Sequence, residues 1–368
     1  MTGVLVHEWI AQDGGSENVL QAMSELFPDA PIMCLWNDSV GRFPAARVHE
    51  SWLARTPLRR SKAAALPFMP LAWRLLKDHD YDWALISSHA FAHHATFRGA
   101  PRSLRRMVYV HTPARYVWTP ELDARGGGRS ARAISMALRP IDRRRAQEGA
   151  EFAANSQFVR GRIRDAWGVD ARVIYPPVEV TRILAEPDWT TRLSESETAV
   201  LDALPEGFVL GASRFIPYKR LDAVIATGEA TGRPVVLAGR GPSRASLDER
   251  AAQATVPVHF VDSPSDALLF ALYQRTALFV FPAVEDFGIM PVEAMAAGAP
   301  VLAQVVGGAA ESTVAGLTGA LVSFDSLDGI REGAELAMAT RPKDRLVRAR
   351  DFSAERFGRE ISTWVAEQ

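Results

Sequence analysis

Residues 208–303 alternate short Val-, Leu- and Phe-rich runs with longer stretches of helical period, a pattern that few folds accommodate. Residues 208–213, 234–238, 258–261, 278–281 and 301–303 read as strands. Residues 221–231, 243–253, 265–275 and 290–297 read as the helices between them. Strands joined by helices pair in parallel, and near-continuous apolar runs imply a sheet covered on both faces. The first half repeats the theme less cleanly, with strands expected at 3–7, 83–87, 107–111, 152–155 and 173–175 and helices beginning near Ser16 and Arg129.

At 368 residues the chain exceeds one comfortable hydrophobic core, so two domains are expected. The Pro-, Thr- and Glu-rich stretch 176–205 is the expected boundary, giving an N-terminal domain over 1–180 and a C-terminal domain over 181–350. The remainder, 351–368, carries Phe357, Ile361, Trp364 and Val365 at helical spacing and is expected to pack back on the N-terminal domain. One cysteine, Cys34, excludes a disulfide framework and a cysteine-rich metal site, which fits a reducing, cytoplasmic setting. The first ten residues read as a strand rather than a signal peptide, and no apolar run is long enough to span a bilayer. Residues 1–180 hold 24 Lys/Arg against 18 Asp/Glu, while the rest is net acidic. That excess hints at an anionic partner but is too sparse for a nucleic-acid footprint, so no nucleic acid is expected.

The chemistry concentrates in residues 281–303, FPAVEDFGIMPVEAMAAGAPVLA. Glu285 and Glu293 flank a Phe-Gly turn that follows a strand and opens a small-residue helix. In an open α/β sheet such a turn lies at the carboxyl edge of the strands, where backbone N–H groups and acidic side chains meet ligands. Arg214 and Lys219 follow another strand, five positions apart, and suit neutralisation of a diphosphate. Taken singly, such a pair is as often a solvated helix start, and Glu293 alone reads as a first-turn charge favoured by the macrodipole. Gly14-Gly15 lies between the first strand and an amphipathic helix, where backbone approaches a ligand closely, although most Gly-Gly pairs are only turns. His111 ends a strand; His89, His93 and His94 also lie at a probable strand end, and no helix-spaced carboxylate or cysteine makes them a metal site.

Five segments in this order, GGSE (14–17), HTPARYVW (111–118), VIYPPV (173–178), SRFIPYKR (213–220) and EDFGIMPVE (285–293), resemble the retaining glycosyltransferases of family 4. The third and second of these are most similar to bacterial mannosyltransferases of polysaccharide assembly. The resemblance implies the GT-B fold, two Rossmann-like domains whose parallel sheets face each other across a cleft. It implies a retaining hexosyltransferase needing no metal or other cofactor, its donor a nucleotide-diphosphate sugar (GDP-mannose before UDP- or dTDP-sugars). The acceptor would be a glycan, a glycolipid or a small molecule. It assigns Arg214 and Lys219 to the diphosphate and Glu293 to the ribose hydroxyls. Glu285 falls to the donor sugar, with backbone N–H groups of Phe287, Gly288 and Ile289 beside it, and Gly14, Gly15 and Gly239 line the donor site. His111 would face the reacting sugar, Arg115, Tyr116 and Trp118 the acceptor, and Gly307, Gly308 and Glu311 the diphosphate.

Two other motifs mislead. Gly239-Arg240-Gly241 begins a dinucleotide fingerprint, but Arg244 occupies the third glycine position. Asp80-Tyr81-Asp82 precedes a strand and reads as a solvated turn. Residues 56–77, with Arg59, Arg60, Lys62, Arg74 and Lys77 around Phe68, Met69 and Trp73, suit either a core-packing segment or an anionic membrane surface with the aromatics at headgroup level. The residues 139–145 add a second basic stretch. A nucleotide-sugar epimerase or hydrolase, or a non-catalytic sugar-nucleotide binder, remain the alternative readings.

Overall fold

The computed structural model describes residues 2–12, 14–76, 80–99, 104–119 and 129–367, without the side chains of 129–134. Two compact units divide the chain: Met1–Pro177 with Phe357–Gln368, and Val178–Arg356.

The first unit is a seven-stranded parallel sheet. Its strands are β1 (Gly3–His7), β2 (Ile32–Cys34), β3 (Val48–Glu50), β4 (Trp83–Ser88), β5 (Arg105–Val110), β6 (Glu151–Ala154) and β7 (Arg172–Val173), in the order β3-β2-β1-β4-β5-β6-β7. Every residue of β4 is buried, as a central parallel strand covered on both faces requires. One face packs Val4, Val6, Ile86 and Val108 against Trp73 and Trp167; the other packs Leu5, Leu85 and Tyr109 against the last helix, Ala354–Ala366. That helix buries Phe357, Ile361 and Trp364, which its 3.6-residue period sets on one side. The Trp364 indole N–H donates to Glu151 Oε2 at 2.9 Å, so its one polar atom is satisfied.

The second unit is a six-stranded parallel sheet, in the order β10-β9-β8-β11-β12-β13. Its strands are β8 (Val209–Ala212), β9 (Val235–Ala238), β10 (Val258–Val261), β11 (Leu278–Phe281), β12 (Val301–Gln304) and β13 (Gly319–Val322). Both sheets reverse their winding once, between β1 and β4 and between β8 and β11. Such a switch point opens a crevice at the carboxyl ends of the two diverging strands.

Most expected elements are present, but β2, β3 and β13 carried no readable signal. β2 and β3 have three residues each, shorter than any periodic window, and Val48-His49-Glu50 is polar and half exposed at the sheet edge. The stretch 176–205 also holds more structure than its composition implies. Val180–Ala185 and Glu195–Asp202 are helices, the second opened by a capping box between Ser194 and Glu197. Trp189, buried between them, packs on Phe270 with ring centroids 4.8 Å apart.

Trp364→Ala should destabilise the first unit by about 3–5 kcal/mol, the usual cost of an indole-sized hole. A lowered urea midpoint by circular dichroism checks this, and an unchanged midpoint would place the last helix off the core.

Candidate functional site

In the second unit the loops after β8, β9, β11 and β12 meet backbone against backbone at the switch point. A Cβ on Gly239, whose φ is +135°, would lie 1.9 Å from the Ser213 carbonyl oxygen. A Cβ on Gly308 would lie 2.3 Å from the Asp286 carbonyl oxygen, and the Gly308 N–H donates to the Glu285 carbonyl at 2.8 Å. These glycines are required by close approach, not by turn geometry alone. They pin the two loops that carry the charged residues.

Lys219 and Glu285 are brought into direct contact across 66 residues of chain, Nζ to Oε1 at 2.5 Å. Their side chains keep only 12% and 15% of their exposure, so water screens the pair weakly. The ammonium also lies 5.8 Å from the Phe281 ring centre. Arg214 is exposed and makes no ion pair among the described residues. Gly288 precedes the helix Ile289–Ala296, and no side chain caps that helix. Its first N–H groups therefore offer an anion or an oxygen lone pair a ready site. Phe287 is buried and packs on Phe352 with ring centroids 5.5 Å apart, so its side chain is a prop for the turn.

Glu293 lies one turn into that helix and is half-buried. Its carboxylate accepts no hydrogen bond among the described residues. Burial raises its pKa from 4.5 to about 7; the Asp266 charge adds to the rise and Arg182 opposes it. Asp266 and Arg182 pair with each other at 3.0 Å.

The first unit collects the other expected residues. Gly14 stands at the start of the helix Gly15–Leu26, and no side chain caps that terminus by a hydrogen bond. The buried Glu17 carboxylate curls back over it, accepting from the Ala11 N–H at 3.2 Å and the Ser16 hydroxyl at 2.8 Å. His111 follows β5, and Ser87 Oγ of β4 lies 2.8 Å from its Nε2. Arg115 and Tyr116 are half-buried on the short helix Arg115–Trp118. Trp118, half-buried, turns its indole N–H onto the buried Asp142 at 2.7 Å.

Asp142 supplies the carboxylate that the histidine triplet lacked in sequence. His93 and His94 Nε2 lie 3.2 and 2.9 Å from its Oδ1, while Trp167 and Trp118 both donate to Oδ2 at 2.7 Å. The three side chains are close enough to hold a cation, and all are buried. Two indoles occupy one carboxylate oxygen and the imidazoles face the other, so the anion is satisfied by N–H donors alone. Burial holds His94 neutral, its pKa lowered to about 4. The cluster is a buried polar pillar under the 92–94 turn.

Sequence reading passed over His7, Glu8, Ser87 and Asp142, all fully buried. A polar residue closing an apolar strand, as in GVLVH and WALISS, was the available signal.

Comparison with known proteins meets this geometry from two sides. The family described as Glycosyl transferases group 1 matches residues 200–350, and that described as Glycosyltransferase Family 4 matches residues 14–182. The chain belongs to glycosyltransferase family 4. This family-4 chain is 30% identical over 193 residues to a GDP-mannose-dependent α-(1-6)-phosphatidylinositol monomannoside mannosyltransferase of Mycolicibacterium smegmatis, covering 48% of the chain and 49% of that protein. The namesake of Mycobacterium tuberculosis is 28% identical over 223 residues, 55% of the chain and 57% of that protein. The chain thus spans about half the length of these curated relatives. Among solved structures, Anabaena HepE with UDP-glucose aligns over all of both chains at TM-score 0.68 and 17% identity. The sucrose-phosphate synthase of Thermosynechococcus elongatus aligns over 99% of this chain and 98% of its own, at TM-score 0.69 and 15% identity. The fold is GT-B.

A raised carboxyl pKa stabilises the folded state at low pH, an advantage fully present below pH 4.5 and lost as pH rises through about 7. The stability difference between wild type and Glu293→Gln should therefore move against the wild type between pH 5 and 8. Urea midpoints that shift equally for both proteins would show an ordinary Glu293.

Proposed function

We propose that this chain transfers a hexose, mannose before others, from a nucleotide-diphosphate sugar to a hydroxyl of a glycan, glycolipid or small-molecule acceptor. The Lys219–Glu285 pair beside the uncapped helix at Gly288 carries the reading. A sugar nucleotide needs cations at its diphosphate and acceptors at its hydroxyls, and this edge of the sheet supplies both within one contact. Lys219 and Arg214 neutralise the charge that grows on the leaving diphosphate, and Glu285 orients Lys219 and accepts from sugar hydroxyls. Glu293, half-buried with no donor of its own, accepts from both ribose hydroxyls. Those donors favour the ionised carboxylate, so donor binding strengthens as pH rises through about 7.

The transfer proceeds with retention and without metal. The diphosphate oxygen takes the acceptor proton as it leaves, and the second unit holds the donor while the first presents the acceptor. Names of the curated relatives support mannose, a guanine nucleotide and a lipid-linked acceptor. The solved UDP-sugar complex supports keeping UDP-sugars in the same screen.

Lys219→Ala should lower kcat by roughly two orders of magnitude, the typical cost of a lost charge-stabilising donor. GDP and GDP-mannose should raise the wild-type melting temperature more than UDP, dTDP or their sugars. Turnover near wild type in the variant would refute the assignment of Lys219. Sugar release without acceptor would favour the hydrolase reading, and tight donor binding with neither transfer nor hydrolysis the non-catalytic one.

A peripheral membrane contact on the cytoplasmic leaflet belongs to the same reading, on a revised set of residues. Met69 and Trp73 are fully buried and cannot reach headgroups, whereas Phe68, Leu71 and Leu75 are 42%, 51% and 40% exposed. Arg59 is paired with Asp38 and Arg74 with Glu148, and Lys77 lies outside the described residues. No helix among the described residues is long and apolar enough to cross a membrane. Phe68→Ser/Leu71→Ser should reduce co-sedimentation with phosphatidylserine vesicles several-fold, and unchanged sedimentation would remove this face from the contact.

A further inference from the structure

β1, β4 and β5 are adjacent and parallel, with His7 opposite Ser87 and Ser88 opposite Val110. This register sets three polar side chains in a row on one face: His7, Ser87 and, one residue past β5, His111. Ser87 Oγ lies 3.0 Å from His7 Nδ1 and 2.8 Å from His111 Nε2, so one hydroxyl bridges two imidazoles. His7 and Ser87 are fully buried, and His7 Nε2 has no partner among the described residues.

The orphan nitrogen decides the direction of the chain. If His7 carried its proton on Nε2, a buried N–H donor would stand unpaired, which native structures avoid more strictly than an unpaired lone pair. With the proton on Nδ1, His7 donates to Ser87, and Ser87 donates to His111 Nε2. His111 then carries its own proton on Nδ1. Burial, with Arg42 nearby, lowers the His7 pKa to about 3, so this end of the chain stays neutral. His89 is also packed here, its ring centre 5.6 Å from that of His7 and 6.1 Å from that of His111, and burial lowers its pKa as well.

Resting on the reading that His111 faces the reacting sugar, we propose that Ser87 and His7 are positioning residues that hold the His111 imidazole as its Nδ1–H tautomer. In that state the ring edge away from Ser87 is a neutral hydrogen-bond donor. The opposite tautomer would present a lone pair there instead. The strand ends thus determine whether His111 gives or receives a hydrogen bond at a sugar oxygen.

Long-range ¹H–¹⁵N correlation of the histidine rings reads the tautomer without substrate. Wild-type His111 should show a protonated Nδ1 and an unprotonated Nε2. Ser87→Ala should give a mixture and cost about tenfold in kcat with donor KM little changed, the scale of one lost transition-state hydrogen bond. His7→Asn, whose amide can replace the Nδ1–H donor, should keep the wild-type tautomer, and His7→Leu should not. A wild-type His111 protonated on Nε2, or a tautomer indifferent to Ser87→Ala, overturns the proposal, and the wild-type spectrum suffices if a variant does not fold. Because the ring state is read without turnover, its failure is distinct from that of the transfer reading, which would appear as wild-type protein that neither binds nor consumes sugar nucleotide.

Discussion

Burial of both faces of a parallel sheet leaves polar chemistry one place to go, the carboxyl edge of its strands, and the whole arrangement follows from that constraint. The central strands, such as WALISS and LFVF, are apolar because helices cover both sides, and in β1 and β4 the polar residues come where the strands end. The switch points then select which strand ends diverge enough to admit a ligand. Lys219 and Glu285 follow β8 and β11, the diverging pair of one sheet. His7 and Ser87 end or nearly end β1 and β4, the diverging pair of the other.

On the proposed function, the Lys219–Glu285 pair suits a sugar nucleotide better than a cluster of cations alone would. A lone half-shielded ammonium would lose hydration without compensation, and a cluster of them would repel. Pairing with Glu285 aims Lys219 and sets a carboxylate and an ammonium side by side at the same edge. Close-packed glycines seat the loops on either side of the pair: Gly239 brings the loop after β9 against the loop of Lys219, and Gly308 brings the loop after β12 against the loop of Glu285.

Much of this was legible because the second unit is built from strong local signals. The helix Leu221–Thr231 and the strands Val258–Val261 and Leu278–Phe281 have the bounds their sequence periods imply, since burial, period and flanking breakers agree there. β2 and β3 were illegible because three residues carry no period. Trp73 and Met69 were ambiguous for a different reason: an aromatic among arginines reads the same whether it faces core or surface, and only tertiary packing separates buried Trp73 from exposed Phe68. Glu285 and Lys219 were individually visible, but they lie 66 residues apart and meet only through the tertiary fold, which no local pattern announces.

Strand alternation gives the polar strand ends of the first unit a second consequence. Residues 7 and 87 lie on one face of the sheet, so residues 8 and 88 lie on the other. There Glu8, fully buried, accepts from the Ala90 and Ala92 N–H groups at 2.8 and 2.6 Å and holds the turn that carries His93 and His94 to Asp142. Burial raises the Glu8 pKa, which the two backbone donors partly offset. The dipeptides His7-Glu8 and Ser87-Ser88 therefore divide their work by face. One row runs to His111 at the strand edge; the other fixes the loop beneath it to the helix Arg129–Ala146. A one-residue slip between β1 and β4 would exchange the two rows, so the apolar register that stabilises the core also keeps the polar strand ends in place.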